Sequence, residues 1–160
     1  MRIRSYVPSD APALGEIFVA SVREIGSRDY SPEQVAVWGG EGQHAARAVG
    51  ERLGVKMADG RRCWVAVDDA DAPVAFVDLE ADGHIDLLYA APEAVGTGAA
   101  GLLLDALEAA AREAGMTRLY VEASEAARRF FLKCGFAVDH RRDFEVDGVP
   151  IHNYAMSRTL

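Results

Sequence analysis

Apolar positions along the chain switch between a period near 3.6 and a period of two, and the switches mark out the elements. Met1 to Val7 alternates Ile3, Ser5 and Val7 with bulky neighbours and stops at Pro8, which predicts an edge strand. Leu14, Ile17, Phe18, Ser21, Val22 and Ile25 then fall at steps of three and four, predicting a helix capped by Ser9 or Asp10 and ended by Gly26. Ser31-Pro32-Glu33-Gln34 repeats the start signal, with a cap, a proline at the first helical position and an amide three residues on. The short helix behind it carries Val35 and Trp38 and is broken by Gly39, Gly40 and Gly42; a further helix over Gln43 to Lys56 is interrupted by Gly50 and Gly54. From Cys63 the period is two. Trp64 to Val67, Val74 to Glu80 and His84 to Ala90, separated by turn residues, predict a three-stranded antiparallel meander.

The second half opens with Pro92, a glycine-rich loop and a long amphipathic helix whose Leu103, Ala106, Leu107, Ala110 and Ala114 share one face, before Gly115 stops it. Arg118 to Ala123 predicts a short strand, Ser124 caps a helix through Cys134, and Ala137 to Phe144 with Val149 to Met156 makes a closing hairpin around Asp147-Gly148. The order β, helices, β-β-β, α, β, α, β-β describes one mixed α/β (α+β) domain over residues 1–160.

Composition narrows the function classes. Half of the 160 residues are apolar, enough for a single core, and the formal net charge is −8 with 17 basic residues scattered rather than massed. That balance argues against nucleic acid or an anionic membrane as partner and favours a cationic substrate such as an amine. The start MRIRSYVPSD has no signal-peptide core and no apolar run is long enough to span a bilayer, so a cytoplasmic protein is expected. Cys63 and Cys134 read as free thiols. His44, His84, His140 and His152 lack partners at zinc-ligand spacing, and no metal site is expected.

The stretch with evident chemistry is Gly96-Thr97-Gly98-Ala99-Ala100-Gly101. Its glycines let backbone N–H groups approach a ligand at the positive end of the following helix, which is a cradle for phosphate. The spacing matches the dinucleotide fingerprint G-x-G-x-x-G, and Glu122 lies about twenty residues on, where that fold places a ribose-binding acid. Against a nicotinamide or flavin cofactor, Ala91 to Val95 intervene between strand and loop, and an antiparallel meander precedes them where parallel βαβ units would stand.

The whole chain resembles the GNAT superfamily of N-acetyltransferases. The family's loop pattern Gln/Arg-x-x-Gly-x-Gly/Ala is matched by Glu93-Ala94-Val95-Gly96-Thr97-Gly98 except at its first position, and its aromatic residue four before Gly-Phe is matched by Phe131 and Gly135-Phe136. Tyr30-Ser31-Pro32, Trp38 and Asn153-Tyr154-Ala155-Met156 extend the likeness over nearly the full length. The resemblance implies a mostly antiparallel sheet flanked by helices, with a V-shaped splay between its fourth and fifth strands, and transfer of an acetyl group from acetyl-CoA to a primary amine of a small molecule or protein by direct attack. A second reading is a non-catalytic acyl-CoA-binding or regulatory module. Family members are often homodimers, although no exposed apolar segment here demands it.

Residue by residue, the resemblance implies that pantetheine pairs with the backbone of Leu88, Tyr89 and Ala90, and that pyrophosphate sits on the N–H groups of Val95, Gly96, Thr97, Gly98, Ala99 and Ala100. The N–H near Ala90 would polarise the thioester carbonyl. No basic residue occurs from Ile85 through Ala111, which leaves Arg128 and Arg129 either to reach the phosphates or to form a solvated helix face. Asp86 shares a strand face with Leu88 and is the candidate base; pairing across the meander is its other reading. Phe131 stands where the family often has the tyrosine that protonates the leaving thiolate. Ser124 stands at a cofactor contact that its role as helix cap also explains. Tyr30, Trp38 and Tyr154 are the candidate acceptor walls, with Phe18 beside them.

Overall fold

The computed structural model describes all 160 residues. The elements are β1 (Arg2–Ser5), α1 (Ala11–Glu24), α2 (Pro32–Gly39), α3 (Ala45–Met57), β2 (Arg62–Val67), β3 (Pro73–Leu79), β4 (His84–Ile85), β5 (Leu88–Ala90), α4 (Ala99–Glu113), β6 (Arg118–Ala123), α5 (Glu125–Lys133), β7 (Ala137–Val146) and β8 (Val149–Thr159). They build a mixed α/β fold from two four-stranded sheets, β1-β2-β3-β5 and β4-β6-β8-β7, in which β4–β6 is the parallel pair.

Two of the expected helix starts form as the side chains dictate. Ser31 Oγ accepts the Gln34 N–H at 3.2 Å while Gln34 Oε1 accepts the Ser31 N–H at 2.9 Å, and Ser124 Oγ accepts the Ala127 N–H at 3.3 Å. The start of α1 differs. Asp10 already has helical backbone angles (φ −77°, ψ −19°), so its carboxylate does not cap the helix but turns back to accept the Val7 N–H and both terminal nitrogens of Arg4, each at 2.9 Å.

Alternation along β2 sorts the core into two layers. Cys63, Val65 and Val67 face α1 and α3, where they meet Leu14, Phe18 and Leu53; Trp64 and Ala66 face α4 and α5, where they meet Leu103, Leu107 and Phe131. The glycine that weakens the helical pattern of α3 is what permits its packing. A Cβ on Gly15 of α1 would stand 2.2 Å from the Ala46 carbonyl oxygen and 2.6 Å from the Gly50 nitrogen, so the two helices touch backbone to backbone.

The expected single strand His84 to Ala90 is two strands. Between them, the amides of Asp86 and Leu87 leave the ladder and donate to Asp78 Oδ1 at 2.9 and 2.7 Å. Asp78 lies on β3 and is 0 % exposed; its other oxygen accepts Arg61 Nη1 at 2.7 Å. Burial pushes its carboxyl up to about 6, against the hydrogen bonds from Arg61 and Leu87, so it remains ionised at neutral pH. The upstream half of the broken strand pairs with β6 and the downstream half with β3. Asp78 thus holds the point where the two sheets part.

Replacing Asp78 with alanine strands two buried amides and a guanidinium, and is expected to cost about 3–5 kcal/mol in urea unfolding. Asp78→Asn keeps an acceptor for the amides and is expected to cost clearly less; equal losses would mean that charge alone, and not amide capture, holds the break.

Candidate active site

The parting of the sheets creates a V. β4 and β6 meet at His84 with Tyr120 and Ile85 with Val121, then diverge. On the β5 side, the Asp78 N–H donates to the Leu87 carbonyl at 3.1 Å and the Ala91 N–H to the Val74 carbonyl at 2.8 Å. The same alternation in an antiparallel pair turns the Tyr89 main chain toward Phe76 and leaves the N–H and C=O groups of Leu88 and Ala90 facing across the V. The expectation that Tyr89 lends its backbone to a ligand is therefore corrected: Leu88 and Ala90 carry that edge, and the Tyr89 phenol instead accepts Trp38 Nε1 at 3.2 Å.

At the end of this edge a short 3-10 turn over Pro92–Ala94 leads into the glycine loop, where Gly96 (φ 81°) and Gly98 (φ 90°) take left-handed backbone angles. The Val95 N–H donates to the Pro92 carbonyl at 3.3 Å and the Thr97 N–H to the Ala94 carbonyl at 3.2 Å, so these two are not free for a ligand, and Thr97 does not line the cleft. The amides of Gly96, Gly98, Ala99, Ala100 and Gly101 make no hydrogen bond within the chain. They lie at and just before the N-terminus of α4, where the helix dipole adds positive potential. Such an array fits a multiply charged oxyanion.

V and loop open into one cleft of about 930 Å³. Phe18, Tyr30 and Trp38 line it from α1, α2 and their link, Arg52 and Lys56 from α3, and Phe144 and Ile151 from the β7–β8 hairpin. Tyr30 and Trp38 thus line the cleft, Tyr30 almost fully buried with its hydroxyl donating to the His152 carbonyl at 2.9 Å. Tyr154 does not: its hydroxyl donates to Glu125 Oε2 at 3.0 Å and the Arg128 guanidinium lies 4.6 Å over its ring, because alternation along β8 turns it toward α5. Arg128, also bonded to Glu125 at 3.3 Å, faces away from the loop as well. Arg129 does line the cleft, paired with Asp29 at 2.8 Å, and so does Lys133, which has no carboxylate partner. Ser124 sits at the cleft as the cap of α5. Phe131 lines it too, though its ring is 0 % exposed and packs on Phe136.

The floor is a charged network. Asp86 Oδ2 accepts Lys56 Nζ and Arg61 Nη1, each at 2.9 Å. Burial raises its pKa, but the hydrogen bonds from Lys56 and Arg61 outweigh burial and hold the carboxyl below the usual range. A carboxylate held this way is a weak base, so Asp86 fits the expected proton-accepting role poorly. His84 stands beside it, Nδ1 at 2.8 Å from Glu80 and Nε2 at 3.0 Å from Glu122. Burial lowers the pKa of this imidazole; the two carboxylates outweigh it and hold the group above the usual histidine value. Glu80, His84 and Asp86 each bring a donor atom within 4.8 Å of the others, yet Arg61 Nη1 already occupies the space between the carboxylates, 3.7 Å from Glu80.

His84 was not a sequence candidate, and Glu122 was raised only as the acid of the dinucleotide fingerprint. Their signal was weak, since they lie far apart in the chain and meet through the one parallel pairing of the fold. Glu122 does not face the glycine loop as a ribose-binding acid would, and β5 runs antiparallel to β3, which corrects the dinucleotide reading.

The chain matches the family model described as "Acetyltransferase (GNAT) domain" over residues 27–158. It is 32% identical over 156 residues to a protein of Escherichia coli K12 named "Uncharacterized N-acetyltransferase YafP", covering 98% of this chain and 94% of that one. A crystal structure from Rhodopseudomonas palustris, titled as a GCN5-related N-acetyltransferase, superimposes with TM-score 0.87 at 34% identity over 99% of this chain and 95% of that one. At 19% identity, PaiA N-acetyltransferase from Thermoplasma acidophilum, solved in complex with coenzyme A, shares the fold with TM-score 0.73 over 99% and 98% of the two chains.

The His84 geometry has a thermodynamic signature. Its raised pKa means that its stabilising contribution is fully present below the unfolded value of about 6.5 and is lost as pH rises through the folded value. NMR titration of the imidazole is expected to give an apparent pKa above 6.5 in the native protein and a lower one in Glu122→Gln. An unchanged value in the variant would uncouple the pair.

Proposed function

Because this chain belongs to the GNAT family of N-acetyltransferases, acyltransferases whose donor is acetyl-CoA, we propose that it acetylates a primary amine by direct attack on the thioester, with both substrates bound together in the cleft. The observation that carries the reading is the pairing of five free amides with an unpaired strand edge. Pyrophosphate fits the array from Gly96 to Gly101, and the two amides of a pantetheine arm fit the edge of Leu88 and Ala90 as an added strand would. Lys133 supplies a cation that the loop lacks, with Ser124 and Phe131 on the facing wall.

In this arrangement the Ala90 N–H points at the charge that develops on the thioester oxygen. An alkylammonium with pKa about 10.4 must lose a proton before it attacks, at a cost of about 4.6 kcal/mol at pH 7. Glu122, 33% exposed on the cleft floor and backed by His84, is better placed to receive that proton through water than Asp86, which is neutralised by two cations. Phe131 has no proton to give. The departing thiolate is a weak enough base to leave without a dedicated acid.

Acetyl-CoA at a hundredfold excess over its Kd is expected to stabilise the protein by about 2.7 kcal/mol, a rise of several degrees in Tm. Gly101→Glu, whose side chain would meet no atom within 4 Å of its Cβ, is expected to keep the ligand-free Tm and lose the acetyl-CoA shift. A retained shift would move the phosphate site elsewhere. In a CoA-release assay over a panel of amines, Glu122→Gln is expected to lower kcat by about 100-fold or more, and Asp86→Asn by much less. The reverse order would return the base role to Asp86.

A further inference from the structure

We propose that the amine acceptor also carries an anionic group, and that Arg142 on β7 is the residue that recognises it; this rests on the acetyltransferase reading above. The first observation is a charge inversion. The chain is acidic overall, at −8, yet the cleft is not. Its three lining carboxylates are each matched locally: Asp29 by Arg129, Asp86 by Lys56, Glu122 by His84. Arg52, Lys133 and Arg142 also line the cleft and none has a carboxylate partner. An acidic protein that leaves three cations uncompensated in one cleft has built it for negative charge.

The second observation separates Arg142 from the donor's phosphates. Val121, Ala123 and Met156 pack with α4 and α5 against one face of the sheet, the side from which the glycine loop and Lys133 arise. Glu122 alternates to the opposite face. Residues directly opposite in an antiparallel ladder share a face, so the register of Arg142 with Asn153, and of Glu122 with Ala155 two residues along β8, places Arg142 on the same face as Glu122. One strand and a two-residue offset intervene, so the two backbones are roughly 12 Å apart. That is the acceptor side.

The third observation is how the guanidinium is held. One terminal nitrogen, Nη1, donates to Asn153 Oδ1 at 3.1 Å, and Cζ lies over the Phe144 ring, 5.3 Å from its centroid. Arg142 is half-buried, and Nε and Nη2 make no hydrogen bond. A planar fork fixed at one corner and set over a ring, with donors to spare, suits bidentate capture of a carboxylate or a phosphate group. Arg52, across the cleft on α3, adds positive potential. The acceptor class is therefore an amine bearing an acid, as in an amino acid or an aminoalkyl phosphonate, with the amine over Glu122 and the anion toward β7.

The test measures CoA release by the full-length protein with matched acceptors: free amino acids of graded amine-to-carboxylate spacing, their carboxamides, aminoalkyl phosphonates and simple alkylamines. Acids are expected to exceed their amides by about tenfold or more in kcat/KM, mainly through KM. The carboxylate and phosphonate arms decide which anion is preferred. In Arg142→Gln the ratio of acid to amide is expected to fall toward one, and Arg142→Lys to retain an intermediate ratio. Amides and alkylamines used as well as acids, or a ratio unchanged in Arg142→Gln, would overturn the anion site and leave the transferase reading standing. No CoA release with any amine would overturn both.

Discussion

A single buried carboxylate sets the geometry on which the rest depends. Asp78 takes the amides of Asp86 and Leu87 out of the strand ladder, with Arg61 balancing its charge, and the chain that follows can no longer stay beside β6. It moves to β3 instead. From that one diversion come the V, the free edge of Leu88 and Ala90, the placement of the glycine loop at the end of that edge, and the exposure of Glu122 on the floor. A hydrophobic side chain at the same position would leave the two amides to pair elsewhere, and a continuous sheet has no cleft.

Much of this was legible in the sequence because local chemistry and tertiary structure agree over most of the chain. The capping box at Ser31, the cap at Ser124, the proline at the head of α2, the amphipathic stripe of α4 and the glycines at 96 and 98 each act within a few residues, so each can be read without knowing the fold. The interruption between Ile85 and Leu88 could not be read that way. Its cause sits on another strand, and the local departure from alternation, the adjacent Leu87 and Leu88, does not by itself separate a break from a buried strand. Gly50 misled in the opposite sense, since its cost to helix propensity is offset by a contact with Gly15 that only the folded structure shows.

The site followed the same rule. Main-chain contributions were readable from glycine spacing and strand position, although register removed Tyr89, and turn bonding removed Val95 and Thr97, from the free amides. Side-chain contributions were less readable, because they depend on which face a residue takes and what it meets there. Tyr154 and Arg128 meet Glu125, and Asp86 meets two cations. His84 gains its importance from Glu122, thirty-eight residues away. Net charge was the least transferable signal: the global excess of acid foretold a welcome for cations, whereas the cleft collects unmatched bases.

The five unbonded amides of the loop have one more consequence. At its non-glycine positions a binding surface made of main chain tolerates many point mutations, since a small, uncharged side chain that accepts the backbone angles leaves the N–H in place. Such a loop can drift in sequence while its grip is inherited as shape. The exception is proline, which has no N–H to offer, and in the first turn of α4 it is also compatible with the helix. At Ala100, outside the core that holds Ala99, it would erase a donor without disturbing the fold, a silent lesion visible only when the ligand is added.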